Sequence, residues 1–250
     1  MIRTLLIITG ASVVLCAAAL GGAVAIGGND MARHGWVWTF PGHGDGQDET
    51  VHFQRADADP PVTRTLAWDG GERLEIGVAA DVVYVQGDEA SVEVVGPRDQ
   101  VEALRLDGGR LTFDDDDGKV VVFGWGRHDR LRITVTAPSV TNFNLDGSGD
   151  LQIRDYDRPS LYIGLRGAGD VEASGRTEAV EVDINGSGDV DLSSLETRDA
   201  DVEIRGVGET IVGPTGAARI TITGSGDVEL TRRPASLTQN ISGSGDIRER

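Results

Sequence analysis

From residue 140 onward a Gly-x-Gly pair followed by an acid occurs six times: GSGD at 147–150, GAGD at 167–170, GSGD at 186–189, GVGE at 206–209, GSGD at 224–227 and GSGD at 243–246. Paired glycines leave backbone N–H groups open to an anion, and a carboxylate beside them is a hard oxygen ligand. Three chemistries follow: a phosphate cradle, a calcium loop, or paired carboxylates acting on a glycosidic bond. A fourth reading is purely structural. The glycines Gly147, Gly149, Gly167, Gly169, Gly186, Gly188, Gly206, Gly208, Gly224, Gly226, Gly243 and Gly245 turn the chain, and the acid caps nearby backbone N–H groups as in an Asx turn.

Spacing argues against the phosphate cradle. A dinucleotide fingerprint needs a third glycine three residues after the second, opening a helix; those positions hold Gln152, Glu172, Asp191, Ile211, Glu229 and Arg248, and no G-K-[ST] follows any of them. A serine nucleophile fails as well. The middle position is Ser148, Ala168, Ser187, Val207, Ser225 and Ser244, so two units lack the hydroxyl, and no G-x-S-x-G elbow occurs. His34, His43, His52 and His128 all lie outside the repeat, and Cys16 is the single cysteine, so spacing suggests no zinc site and no intrachain disulfide exists.

The carboxylates Asp150, Asp170, Asp189, Glu209, Asp227 and Asp246 are the candidate metal ligands, with calcium the ion they suit. Calcium-binding β-rolls share the Gly-x-Gly and the acid, but their acid falls one residue later and their period is shorter. Stacked about 5 Å apart, the acids would also sit near the separation used by retaining glycosidases. Phe143, Tyr156 and Tyr162 are the aromatic residues available for a sugar platform within the repeat. Neighbouring carboxylates at that distance repel by roughly 0.8 kcal/mol in water and about 3.3 kcal/mol at an effective dielectric of 20, so the ladder needs exposure, N–H donors or cations.

The elements that carry these corners are strands. The first glycines are 20, 19, 20, 18 and 19 residues apart. Two residues before them stand Leu145, Leu165, Ile184, Ile204, Ile222 and Ile241; four before, Phe143, Ile163, Val182, Val202, Ile220 and Gln239. Directly after the acid come Leu151, Val171, Val190, Thr210, Val228 and Ile247. Each unit is a period-two strand, a corner and a second short strand, and one unit cannot bury its apolar face alone. The pattern predicts an all-β protein, a single-stranded parallel β-helix or solenoid with coils of about 19–20 residues; six coils would span about 29 Å. Antiparallel hairpins are the competing fold and predict shorter connections than the polar stretch 193–199.

Residues 139–250 hold the six repeat coils. Residues 63–138 alternate too, at LEIGV 74–78, VVYV 82–85, SVEVV 91–95, LTF 111–113, VVVF 120–123 and LRITV 131–135, and are read as irregular β coils of the same solenoid. The acidic run 114–117 reads as a solvated hairpin tip. Residues 29–62, dense in Gly, Pro and Asp, read as a linker or stalk. Trp36 and Trp38 within it suit a membrane interface or a short edge strand. Residues 1–28 contain an uncharged run, 5–26, long enough to span a bilayer as a hydrophobic helix, and are a signal anchor or a signal peptide. Either way, the remainder is expected outside the cytoplasmic membrane, in the periplasm or at the cell surface.

A formal charge of −18 and a pI near 4.5 exclude the basic stripe a nucleic-acid partner requires. The GSGD repeats with their flanking strands, the N-terminal apolar segment and the RTLAWDG stretch at 64–70 resemble the bacterial head GIN domain family of auto-transporter adhesins, over roughly 63–250. The resemblance implies a parallel β-helix and brings no catalytic residues or cofactor; the chain also shows no outer-membrane barrel after the last repeat. The first expectation is a non-catalytic envelope β-solenoid, held to the membrane by its N-terminal segment and presenting a repetitive acidic face to a glycan, a protein or cations. A polysaccharide-active β-helix enzyme and a calcium-stabilised envelope protein are the alternatives. Arg248, Glu249, Arg250 and Gln239 are expected to blunt the C-terminal edge.

Overall fold

In a computed structural model of the chain, residues 36–40, 49–53, 60–114 and 130–250 are described; the apolar run 5–26 and the strand expected at 120–123 lie outside them. The chain divides into two units, Met1–Asp59 and Pro60–Arg250. In the first, β1 (Trp36–Phe40) pairs antiparallel with β2 (Glu49–Phe53), so Trp36 and Trp38 are strand residues.

Alternating apolar residues build the second unit. Its strands are β3 (Val62–Leu66), β4 (Arg73–Ile76), β5 (Ala80–Gln86), β6 (Ser91–Gly96), β7 (Leu104–Asp107), β8 (Arg110–Phe113), β9 (Leu131–Ala137) and β10 (Asn142–Gly147), with one helix, α1 (Arg98–Ala103), between β6 and β7. The repeat supplies β11 (Asp150–Gly167), β12 (Asp170–Gly186), β13 (Val190–Gly206), β14 (Glu209–Val212), β15 (Ala217–Gly224), β16 (Asp227–Leu230), β17 (Ser236–Gly243) and β18 (Ile247–Glu249). These strands stack in parallel register as a β-solenoid of about five turns. Six corners bound five turns rather than six, because the last corner opens only the short β18.

Each strand gives alternate residues to the interior. Phe143, Ile163, Val182, Val202 and Ile220 form one buried column, Leu145, Leu165, Ile184, Ile204 and Ile222 the next, and Leu151, Val171, Val190 and Val228 a third. The uneven period has a local cause. Ile153 and Tyr156 of β11 face Ala173 and Gly175 of β12, and Glu172 and Ser174 face Asp191 and Ser194, so the 20-residue coils hold their extra residue as a bulge at this second corner. Asp155, at a φ of 53°, is that residue in β11.

Residues 73–86 make one further coil: β4 lies parallel to β10, and β5 parallel to both β11 and β9. Beyond β9 the direction changes, since β6 runs antiparallel to β9, β3 antiparallel to β6, and β7 and β8 form an antiparallel hairpin. Of these pairs, β7 and β8 are joined by a two-residue turn at Gly108 and Gly109, a connection open to antiparallel but not to parallel strands. The wider interior here is filled by rings. Tyr84 packs edge-on to Phe143 at 4.9 Å, and Phe143 to Tyr156 at 6.3 Å. The buried Tyr84 hydroxyl donates to the Ala137 carbonyl at 2.8 Å, and burial pushes its pKa up to about 12, so it stays a neutral donor.

The first glycine of each corner has positive φ, from 115° at Gly147 to 149° at Gly186. Successive corners lie directly on one another: Ser187 N–H donates to the Gly167 carbonyl at 2.8 Å and Val207 N–H to that of Gly186 at 3.0 Å. A Cβ on Gly186 would overlap the Gly167 carbonyl, whereas one on Gly147 meets nothing within 4 Å. Gly186→Ala is therefore expected to cost about 3 kcal/mol or more in urea unfolding, and Gly147→Ala about 1–2 kcal/mol from φ alone. Thr210 breaks the third apolar column; it is fully buried and its hydroxyl has no partner. Thr210→Val is expected to raise stability by about 1 kcal/mol in the same assay, by removing an unpaired polar group.

Candidate functional site

The corner places its acid at the first outward position of the following strand, and parallel register aligns these positions on successive coils. Asp150 faces Asp170, and Glu209 faces Asp227. Val171 facing Val190, Val190 facing Thr210 and Val228 facing Ile247 bring Asp189 and Asp246 into the same column. The column continues to Asp81, which pairs in register with Asp150. Sequence reading misses Asp81 because its corner, IGVAAD at 76–81, keeps the five-residue spacing of LDGSGD at 145–150 but has neither corner glycine.

Asp170, Asp189 and Asp227 do not cap their own turns. Asp170 Oδ1 accepts from Asp189 N–H at 3.3 Å, Asp189 Oδ1 from Glu209 N–H at 2.8 Å and Asp227 Oδ1 from Asp246 N–H at 2.8 Å. These three acids thus bind the backbone of the next coil, where the corner aims an N–H along the solenoid axis. Asp246 turns instead to Ile247 N–H at 2.9 Å. Above Glu209 the Asp227 N–H goes to the Gly208 carbonyl at 3.1 Å. An Asx turn does occur at Asp191, which accepts from Ser193 N–H at the bulge.

Arginines close both ends of the column. Arg130 lies 3.1 Å from both Asp81 and Asp150, and Arg248 lies 3.2 Å from Asp246 and 4.0 Å from Asp227. Among the described residues no group of three or more His, Cys, Asp or Glu side chains is gathered as metal ligands would be. The same inter-coil bond recurs at another corner: Asp199 Oδ1 accepts from Ala217 N–H at 2.8 Å, and this bond, with the Arg198 guanidinium, holds the carboxyl below its ordinary range.

Beside this second corner a trough of about 670 Å³ runs along the solenoid. One wall is an outward column of β11, β12, β13, β15 and β17, in which Tyr162, Glu181, Asp201, Arg219 and Thr238 follow one another in register. Its far side is built from Ser160, Ala179, Asp199, Ala217 and Ser236. Of the three aromatics counted for a sugar platform, Phe143 and Tyr156 are core residues, and Tyr162 alone lies here. Strand alternation marks all these positions as outward, but only the bend of the coil makes the surface concave.

Corner, ladder and trough belong to a repeat protein of the parallel β-solenoid class. The chain belongs to the family described as "Putative auto-transporter adhesin, head GIN domain", whose model matches residues 72–234. Among functionally curated proteins none matches it. A crystal structure of a putative adhesin from Bacteroides fragilis has a TM-score of 0.59 at 18% identity, covering 76% of this chain and 97% of that one. A putative lipid binding protein from Parabacteroides distasonis (TM-score 0.45, 19% identity) and a putative adhesin from Parabacteroides merdae (0.42, 16%) each cover 76% of this chain, and 97% and 96% of their own. At such identities the Bacteroides fragilis protein shares the fold, which is what the likeness shows.

The hydrogen-bond pattern sets an expectation for the ladder. Asp189→Ala is expected to cost about 1 kcal/mol in thermal unfolding, and Asp189→Asn, which keeps an acceptor oxygen, less than half of that. The unfolding midpoint of the wild-type chain is expected to be the same with calcium and with EDTA, since N–H donors and arginines already meet the carboxylates. A calcium-dependent rise in the midpoint that Asp189→Asn abolishes would show the ladder to be a cation site.

Proposed function

We propose that the chain is a non-catalytic, adhesin-like module of the cell envelope that binds a partner along the outward columns of its solenoid. Family membership supports an adhesin-like role and an envelope or surface location. One structural observation carries the rest: the outward acids occupy a regular column in which three of them, Asp170, Asp189 and Asp227, serve as acceptors for the next coil's backbone. A general acid or nucleophile needs a distinct environment that sets it apart from its neighbours, and repetition gives six corners nearly the same one. Repetition suits binding instead, because it offers an extended partner the same contact at each rung.

Anchoring belongs to the same proposal. The run 5–26 is the candidate anchor, and no helix among the described residues is long and apolar enough to cross a membrane. Its length suits a retained span, which would tether the solenoid outside the cytoplasmic membrane. Fractionation of cells expressing the full chain, with protease added to intact spheroplasts, is expected to find it membrane-bound and cleavable from outside. Recovery from the cytosol would overturn the location, and release of reducing ends from polysaccharides by the purified chain would overturn the non-catalytic reading.

A further inference from the structure

The trough joins two features that a solvated solenoid face does not need. The first is an aromatic ring packed against the bare backbone of a glycine on the sheet. Gly164 interrupts an outward column otherwise occupied by Asn144, Asp183, Glu203, Thr221 and Asn240. Its φ is ordinary, so the backbone does not call for glycine there. What it supplies is room: a Cβ at 164 would lie 3.1 Å from Tyr162 Cε1, 3.2 Å from its hydroxyl oxygen and 2.7 Å from Asn144 Oδ1. The ring lies over the bare backbone of Gly164, half-buried, and burial raises the pKa of its phenol. An aromatic ring packed at a half-buried position on a polar surface can serve as a stacking platform.

The second is the chemistry and pitch of the rows beyond the ring. Glu181, Asp201, Arg219 and Thr238 follow Tyr162 one rung at a time, opposite side chains as small as Ser160, Ala179, Ala217 and Ser236. Carboxylates accept from paired hydroxyls, and the guanidinium and threonine donate. Rungs about 4.8 Å apart match one pyranose ring of an extended chain, whereas a peptide strand advances about 3.3 Å per residue and falls out of step. Glu181, Asp199 and Asp201 outnumber Arg219, which is itself 3.6 Å from Asp201, so the charge disfavours an anionic chain.

We infer that this trough binds a linear, uncharged polysaccharide lying parallel to the solenoid axis, with one sugar stacked on Tyr162 and its neighbours hydrogen-bonded to Glu181, Asp201 and Arg219. The inference rests on the binding-module reading and gives it a site and a ligand class. The trough is separate from the acid ladder, so variants of the two can be compared.

The test is isothermal titration of the full chain, purified in detergent, with cellohexaose, chitohexaose, mannohexaose and maltohexaose. At least one is expected to bind, and more tightly than its trisaccharide. Tyr162→Ala is expected to weaken binding about tenfold, the loss of one stacked ring. Tyr162→Phe is expected to retain it, and Gly164→Ser, which lifts the ring without removing it, to weaken it severalfold with an unchanged melting midpoint. Asp189→Asn, on the ladder, is expected to leave binding unchanged. A hexasaccharide whose affinity ignores Tyr162→Ala and Gly164→Ser would remove the trough from the proposal and leave the binding module standing. Failure of all four hexasaccharides, or tighter binding of oligogalacturonate or of an unstructured basic peptide, would overturn the ligand class.

Discussion

The stacked glycine corner is the constraint on which the rest of the solenoid depends. At each coil the chain must reverse its course within three residues while lying directly on the corner below, near enough for Ser187 N–H to reach the Gly167 carbonyl. That distance leaves no space for a side chain at the first or second glycine, and the first also takes a φ that other residues resist. Once the corner is held, the two flanking strands enter the parallel stacks at a fixed offset, and their alternation decides which residues enter the core. Gly147 shows the converse. It lies on the corner of residues 76–81, which has Val78 and Ala80 at the two corner-glycine positions, and the space around its own Cβ position is open.

The corner also explains why a column of like charges is tolerated. Stacking forces the acids of successive coils into one line, a consequence of repetition that no binding role is needed to explain. The same stacking aims the next coil's N–H at the carboxylates of Asp170, Asp189 and Asp227, and arginines sit at the two ends of the line. Charge-assisted bonds of this kind offset the roughly 1 kcal/mol of repulsion per exposed pair. The acids are thus part of how the coils hold together. The trough residues Glu181 and Asp201 accept no comparable bond from the backbone of the next coil; Asp201 pairs with Arg219 at the surface instead.

The edges of the solenoid are handled differently at its two ends. Toward the N-terminus the parallel order gives way to antiparallel β6 and β3, with Arg64 donating to backbone carbonyls around α1. At the other end β17 is exposed along its length, Gln239 and Ile241 included, while Arg248 and Arg250 pair with Asp246 and Glu229 of the acidic columns. Arg248 and Arg250, anticipated as edge protection, also neutralise those columns.

Periodicity made much of this legible in advance. Three apolar columns, a Gly-x-Gly corner and a period of 18–20 residues determine a stacked parallel coil, because only neighbouring coils can bury those columns. The family could be recognised from the same residues. Local sequence could not show what crosses between coils. Asp81 has no glycine beside it, the N–H partners of Asp170 and Asp189 lie 19 and 20 residues away, and the antiparallel course of β3 and β6 depends on pairings that alternation alone does not specify. The trough is the clearest case. Each of Tyr162, Glu181, Asp201 and Arg219 reads as one more solvated strand residue, and only the register between coils, the bend at the second corner and the bare backbone of Gly164 bring them to one concave surface.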